Sequence, residues 1–291
     1  MHCELIVDAR NGTGESPVWH PAEQALYWVD IPARQLHRWH GGKHQRWQGE
    51  QMLACIARAA NGWLAGMEDG IYQVRAEADG SLHSRLIAAV EHGQPGMRFN
   101  DGRCDRQGRF WAGSMLMDMQ QGAHVGALYR VDGEGRLHRQ LKDMIVPNGL
   151  AFSPDGTRMY LSDSHPAVQK IWAFDYDIDS ATPHNQRLFV DMRAFPGRPD
   201  GAAIDTDGCY WICGNDAGQI HRFTPDGRLD RSLTVPVKKP AMCAFGGANL
   251  DTLFVTSIRP ADSDLADQPL AGGVFALRPG AQGLEEPAWR G

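Results

Sequence analysis

Three oxygen-bearing side chains stand at one distance from one kind of marker. Counting eight residues back from Gly108, Gly156 and Gly208 reaches Asn100, Asn148 and Asp200. The same count from Gly62 reaches Ala54. A segment without the glycine, Ser16-Pro17-Val18-Trp19, aligns with Glu15 at this point, and the last comparable segment puts Met242 or a neighbour there. Two carboxylates brought to one place repel and call for a cation between them. Carboxylates and amide carbonyls are hard donors, suited first to Ca²⁺ and also to Mg²⁺ or Mn²⁺. Zn²⁺ or Fe²⁺ could enter the same oxygen set when abundant, but the absence of His and Cys disfavours a structural zinc cage. One divalent ion and two carboxylates are formally neutral, which suits a neutral substrate better than a phosphate ester. Asn148-Gly149, Asp200-Gly201 and Asn100-Asp101-Gly102 also read as ordinary turns. The shared register favours a site, because unrelated turns need not coincide.

These residues meet only if the chain repeats. Short apolar strands with an aromatic recur six times, with Trp28, Trp63, Trp111, Tyr160, Trp211 and Phe254 taken as equivalents. Their spacing is that of propeller blades. Asn-Gly or Asp-Gly turns precede several of these strands, and a second strand that often opens with Gly follows. The pattern is a β-meander repeated six times. It predicts an all-β, six-bladed β-propeller in one domain over residues 1–291, closed radially so that sheet edges are protected. Glu4–Asp8 has no blade of its own and is expected to pair after Ala271 and close the ring. The residues counted above open the first strand of each blade. In propellers that strand lines the channel, so Glu15, Ala54, Asn100, Asn148, Asp200 and Met242 are expected on one ring.

The 291-residue chain carries 29 Lys and Arg against 35 Asp and Glu, a formal charge of −6. That disfavours nucleic-acid partners and attraction to anionic membrane. With Glu4 near the start and no long apolar run, neither a signal peptide nor a spanning helix is expected. The six cysteines include no C-x-x-C, so they are expected as reduced thiols of a cytoplasmic protein, with Cys209 and Cys213 buried in strands. No G-x-S-x-G elbow, P-loop or dinucleotide fingerprint occurs, which argues against a serine nucleophile and against nucleotide chemistry. Trp19, Trp28, Trp63 and Trp111 are expected in the core between blades.

Gly14–Trp19, Arg98–Gly102, Pro147–Gly156, Pro199–Gly201, Cys243–Gly247 and Ala271–Phe275, taken in order, resemble the SMP-30/gluconolactonase/regucalcin family. The likeness runs from about Glu15 to about Leu277. It implies a six-bladed propeller holding one divalent metal, and an activity that hydrolyses sugar lactones such as glucono- or pentonolactone to aldonic acids. Family metal ligands match Glu15, Asn148 and Asp200. Substrate-contacting positions match Arg98 and Asn100, and Asp118 if its segment aligns without gaps, although Asp is shorter than the Glu common in animal members. The implied mechanism uses the ion to polarise the lactone carbonyl and activate water, with Asp200 as general base and Glu15 as the alternative. A small-molecule lactone and a monomer or weak homodimer complete the expectation. The rival readings are a hydrolase of organophosphates or other lactones and a non-enzymatic calcium-binding propeller.

Overall fold

The computed structural model describes residues 2–261 and 264–291. Six four-stranded antiparallel sheets surround a channel, each running from an inner to an outer strand. The inner strands are Gly14–His20, Cys55–Ala59, Met97–Cys104, Pro147–Phe152, Arg198–Ile204 and Pro240–Gly246, in blades 1 to 6. The turns behind the counting register are alike. The amides of Gly108, Gly156 and Gly208 donate to the carbonyls of Asp105, Ser153 and Asp205 at 3.0, 2.9 and 3.0 Å.

The N-terminal strand Cys3–Val7 is the outermost strand of blade 6, paired antiparallel with Val274–Leu277. Cys3 lies opposite Leu277 and Val7 opposite Val274. The two ends of the chain thus share one sheet, and the ring closes as expected. The expected tryptophans are buried, Trp28 and Trp111 completely. Burying a side chain of this size contributes roughly 2–3 kcal/mol. All six cysteines are free thiols, with Cys209 and Cys213 buried. No helix among the described residues is long and apolar enough to cross a membrane.

The repeat differs by one residue in blade 1. Asp30 accepts from the amides of Gly12 and Thr13, and Asp163 accepts in the same way from Ile145 and Val146. Three residues before each lie Tyr27 and Tyr160, opposite Val18 and Ala151. Tyr27, not Trp28, is therefore the equivalent of Tyr160. Trp28 points to the other face and stacks on His37 and His44 at 5.0 and 5.3 Å.

The far end of the channel is covered by the C-terminal segment. Thr206 donates to Gln282 O, Trp289 to Arg58 O and Arg290 to Gly108 O. Glu286 accepts from Arg103 Nη1 at 3.1 Å. Beneath it, a cavity of about 20 Å³ lies among Pro17, Ile56, Cys104 and Met242. That is room for about one water.

Candidate functional site

A break in pairing sets the ring. The register between first and second strands shifts after Glu15, Phe99, Asn148, Pro199 and Pro240, in five of the six blades. A bulge releases residues from the ladder and turns their side chains out of the sheet. Blade 2 has no shift, and Cys55 to Ala59 pair in unbroken order with Gly66 to Gly62. Ala54, its ring residue, carries no donor.

Two glycines let the bulges form. Gly149 has φ +59°, and its carbonyl accepts from the buried Tyr210 hydroxyl at 2.6 Å. At Gly201 a side chain has no room, because a Cβ would sit 2.3 Å from the Met242 side chain. This contact also corrects the last ring position. Blade 6 shifts between Pro240 and Cys243 as blade 5 shifts between Pro199 and Ala202, so Ala241 matches Asp200 while Met242 packs between blades. Ser16 takes the place of Gly149 in blade 1 and keeps a left-handed backbone, φ +49°. Its hydroxyl accepts from the Ile56 amide at 2.8 Å and ties blade 1 to blade 2.

The structure brings Asn148 and Asp200 into direct contact. Asn148 Nδ2 donates to Asp200 Oδ1 at 2.6 Å, and Asn215 Nδ2 donates to Oδ2 at 2.5 Å. Glu15 is buried close enough for the charge of Asp200 to act on it. Burial, then repulsion from Asp200 and Asp101, pushes the Glu15 carboxyl well above the ordinary range. Burial likewise pushes Asp200 up to about 6, against the pull of the Asn215 hydrogen bond and the Arg198 charge. On blade 3, Arg98 Nη1 donates to Asn100 Oδ1 at 2.9 Å and to Phe99 O at 2.6 Å. Asn100 Nδ2 donates to Pro147 O at 3.1 Å, which links blades 3 and 4. Among the described residues no carboxylate lies within ion-pair distance of Arg98. Burial lowers its pKa, and the nearby charges of Glu15 and Asp200 oppose that.

Asp118 stands apart from this cluster. It is exposed, and its Oδ1 and Oδ2 accept from the Gln120 amide and Gln121 Nε2 at 3.2 and 3.0 Å. It caps the short turn Met119–Gln121.

Hydrogen-bond saturation separates these acids from the structural ones. Asp205 is buried and accepts from the Asp207 and Cys209 amides, Trp211 Nε1 and Arg222 Nε. Asp105 accepts from the Gln107 and Arg109 amides, Arg109 Nε and the Tyr176 hydroxyl. Those carboxylates are fully engaged in holding turns. Glu15 accepts one hydrogen bond, from the Ser16 amide at 3.0 Å. Asp101 accepts from Leu150 with one oxygen, and its other oxygen is buried without a partner, as is Asn215 Oδ1. Buried polar atoms without partners cost free energy and mark places where something else binds.

The donors fit a hard divalent cation. Two buried carboxylates with raised pKa values, an amide and unpartnered oxygens nearby are what such an ion would neutralise. No group of three or more His, Cys, Asp or Glu side chains of metal-holding geometry occurs among the described residues, so the set is two acids with amide oxygens. The local sequence hardly signals Asn215, which lies beyond the aromatic strand motif. Its role follows only from the pairing that sets it beside Asp200.

Fold and ring together define a β-propeller whose inner strands gather acids and amides at the channel. Residues 13–259 match the SMP-30/Gluconolactonase/LRE-like region, and the chain belongs to that family. It is 42% identical to the 6-deoxy-6-sulfogluconolactonase of Pseudomonas putida, over 99% of this chain and 98% of that protein. It is 33% identical to the L-arabinolactonase of Azospirillum brasilense, over 99% of this chain and 95% of the other. Among solved structures it resembles a calcium-binding protein, regucalcin, from Agrobacterium tumefaciens, with TM-score 0.90 and 28% identity over 98% and 96% of the two chains.

Proposed function

We propose that the chain is a lactonase that hydrolyses a sugar lactone to the aldonic acid at the acid–amide ring. The observation that carries this reading is the contact between Asn148 and Asp200, made across two blades and within reach of the Glu15 charge. The named lactonase relatives support the reaction class. Glu15, Asn148 and Asp200 would hold one divalent cation, with Ca²⁺ the first choice. When bound, the cation polarises the lactone carbonyl and eases deprotonation of water.

The chain's own residues do the rest. Asp200, fixed by amide donors on both oxygens, takes the proton as water attacks the carbonyl carbon. The ring C–O bond then breaks, and the proton passes to the departing oxygen, which becomes a hydroxyl. Arg98 and Asn100 form a hydrogen-bonded pair on the next blade face and orient the sugar. Asp118 would reach the substrate only at the rim, after giving up its cap. The site is complete within one chain, so a monomer or weak dimer suffices, and we place the protein in the cytoplasm.

The test is lactone hydrolysis with and without chelator, and in Asp200→Ala. Activity should vanish in both cases and return with metal only in the unmutated protein. Full activity in the chelated protein and in the variant would overturn the reading.

A further inference from the structure

The register that defines the acidic ring also defines a layer above it. The residues two before the ring positions stand where each inner strand enters the ring. Two residues before the ring positions lie Thr13, Met52, Arg98, Val146, Arg198 and Lys239. Three of these six are cations and none is an acid. On blade 3 the two positions meet, because Arg98 donates to Asn100. On blade 5 the charge of Arg198 acts on Asp200.

Arg198 and Lys239 belong to neighbouring blades and meet on one carboxylate. Arg198 Nε donates to Asp216 Oδ2 at 2.6 Å, and Lys239 Nζ contacts Asp216 Oδ1. Arg198 Nη1 also donates to Ser164 O on blade 4, at 3.2 Å. The side chains of Arg198 and Lys239 are 18% and 27% exposed, that of Asp216 43%. The group holds two cations against one acid, and Arg98 adds a third cation without an ion-pair partner. This positive excess lies one layer above an acidic ring that a divalent ion would neutralise. A neutral sugar ring has no use for it.

Resting on the lactonase reading, we propose that Arg198 and Lys239, held by Asp216, form an anion subsite. The subsite selects lactones that carry a fixed negative charge remote from the reacting carbonyl. The shared chemistry is a tetrahedral or planar oxyanion, namely a sulfonate, phosphate or carboxylate. The formally neutral ion–carboxylate centre below then meets the uncharged lactone group, while the charged tail rests on the cations.

The experiment compares kcat/KM for gluconolactone with that for the same lactone bearing a 6-phosphate, a 6-sulfonate or a second carboxylate. The wild type should prefer at least one anionic lactone, and KM for it should rise with salt. Lys239→Gln and Arg198→Gln should each lower the anionic-to-neutral ratio by about tenfold, the size of a lost charge-assisted contact. Lys239→Arg should keep the ratio within about threefold, because the charge is retained. The three anionic arms identify which oxyanion fits. A wild-type ratio near one, or equal loss on both substrate classes in the variants, overturns the proposal and leaves a structural cross-link between blades. If no lactone is cleaved, the lactonase reading fails, and thermal protection still decides the subsite. In that readout at least one of 6-phosphogluconate and 6-sulfogluconate must raise the Tm more than gluconate does, and Lys239→Gln must erase the difference. Equal protection by all three overturns it.

Discussion

Replacing Asp200 by Asn removes a charge while keeping shape. Burial raises the Asp200 carboxyl from 3.8 to about 6. At about 1.36 kcal/mol per pKa unit, holding the ionised form in the metal-free native state at neutral pH costs about 3 kcal/mol. Asp200→Asn abolishes this cost but sets a new NH₂ against one of the two amide donors, from Asn148 or Asn215. A mismatched buried donor costs about 1–3 kcal/mol. The metal-free variant should therefore be at least as stable as wild type, by about 0–2 kcal/mol, near pH 7.5. Because the native pKa lies above the unfolded one, the native state binds the proton more tightly. Stability from this group is present below about pH 4 and is lost as pH rises toward 6. Between about pH 4.5 and 7.5 the wild type should lose about 2 kcal/mol that Asp200→Asn does not lose. Glu15 is raised in the same direction, so a residual slope should persist in the variant.

Calcium must reverse the order. A ligand at a hundred times its Kd stabilises the native state by about 2.7 kcal/mol. The wild type should gain on this scale and Asp200→Asn little. The assay is urea unfolding of metal-free and calcium-loaded protein at both pH values. If metal-free Asp200→Asn proves less stable than wild type near pH 7.5, or if calcium protects both proteins alike, Asp200 is not a strained charge awaiting a cation.

Tyr210→Phe deprives the buried Gly149 carbonyl of its donor at 2.6 Å, so urea unfolding should show a loss of about 1–3 kcal/mol. Because Gly149 follows Asn148, the calcium-induced rise in Tm should also shrink. Glu286→Gln takes the counter-charge from Arg103, which is 8% exposed, and should cost about 2 kcal/mol in the same assay. The change lies at the far end of the channel, so kcat on a good lactone should move by less than about threefold. Asp118→Ala should change kcat/KM by less than about fivefold, whereas Arg98→Gln should lower it about a hundredfold through lost orientation. A larger effect at Asp118 would mean that its cap opens in the working enzyme.

The blade count, the closure by the first strand and the ring register were legible in sequence because the turn glycines recur in equivalent hydrogen-bonded turns. The errors arose where pairing departs from that spacing. Blade 1 turns without the glycine, and its aromatic alignment slipped from Tyr27 to Trp28. In blade 6 the same uncertainty put Met242 where Ala241 stands. A bulge inserts residues that no local composition announces, so the face a side chain takes after one is invisible until the ladder is known. Asn215 carries no local signal for a related reason, since it meets the ring through Asp200, fifteen residues away. Asp118 matches the family pattern only by ungapped alignment, and in the structure the two glutamines after it give its oxygens local donors.

The bulges also explain how one repeat can hold a fold and a reaction together. Ladder positions are committed to pairing, and acids such as Asp105 and Asp205 spend every oxygen on turns. Glu15 and Asn148 are the last paired residues before a bulge and Asp200 lies within one, and all three keep capacity that the blades do not use. Blade 2 has no bulge, and its ring residue is an alanine without a donor. Blade 6 is bulged and its ring residue is also an alanine, so a bulge makes room for a donor without supplying one. The layer above follows the opposite logic. Arg198 and Lys239 sit where pairing is still regular or has not begun, and loop residue Asp216 ties them together across blades 5 and 6. If the ring holds a cation, the charges above it can vary without touching Glu15, Asn148 or Asp200. Substrate charge is therefore the property such a propeller can change most cheaply.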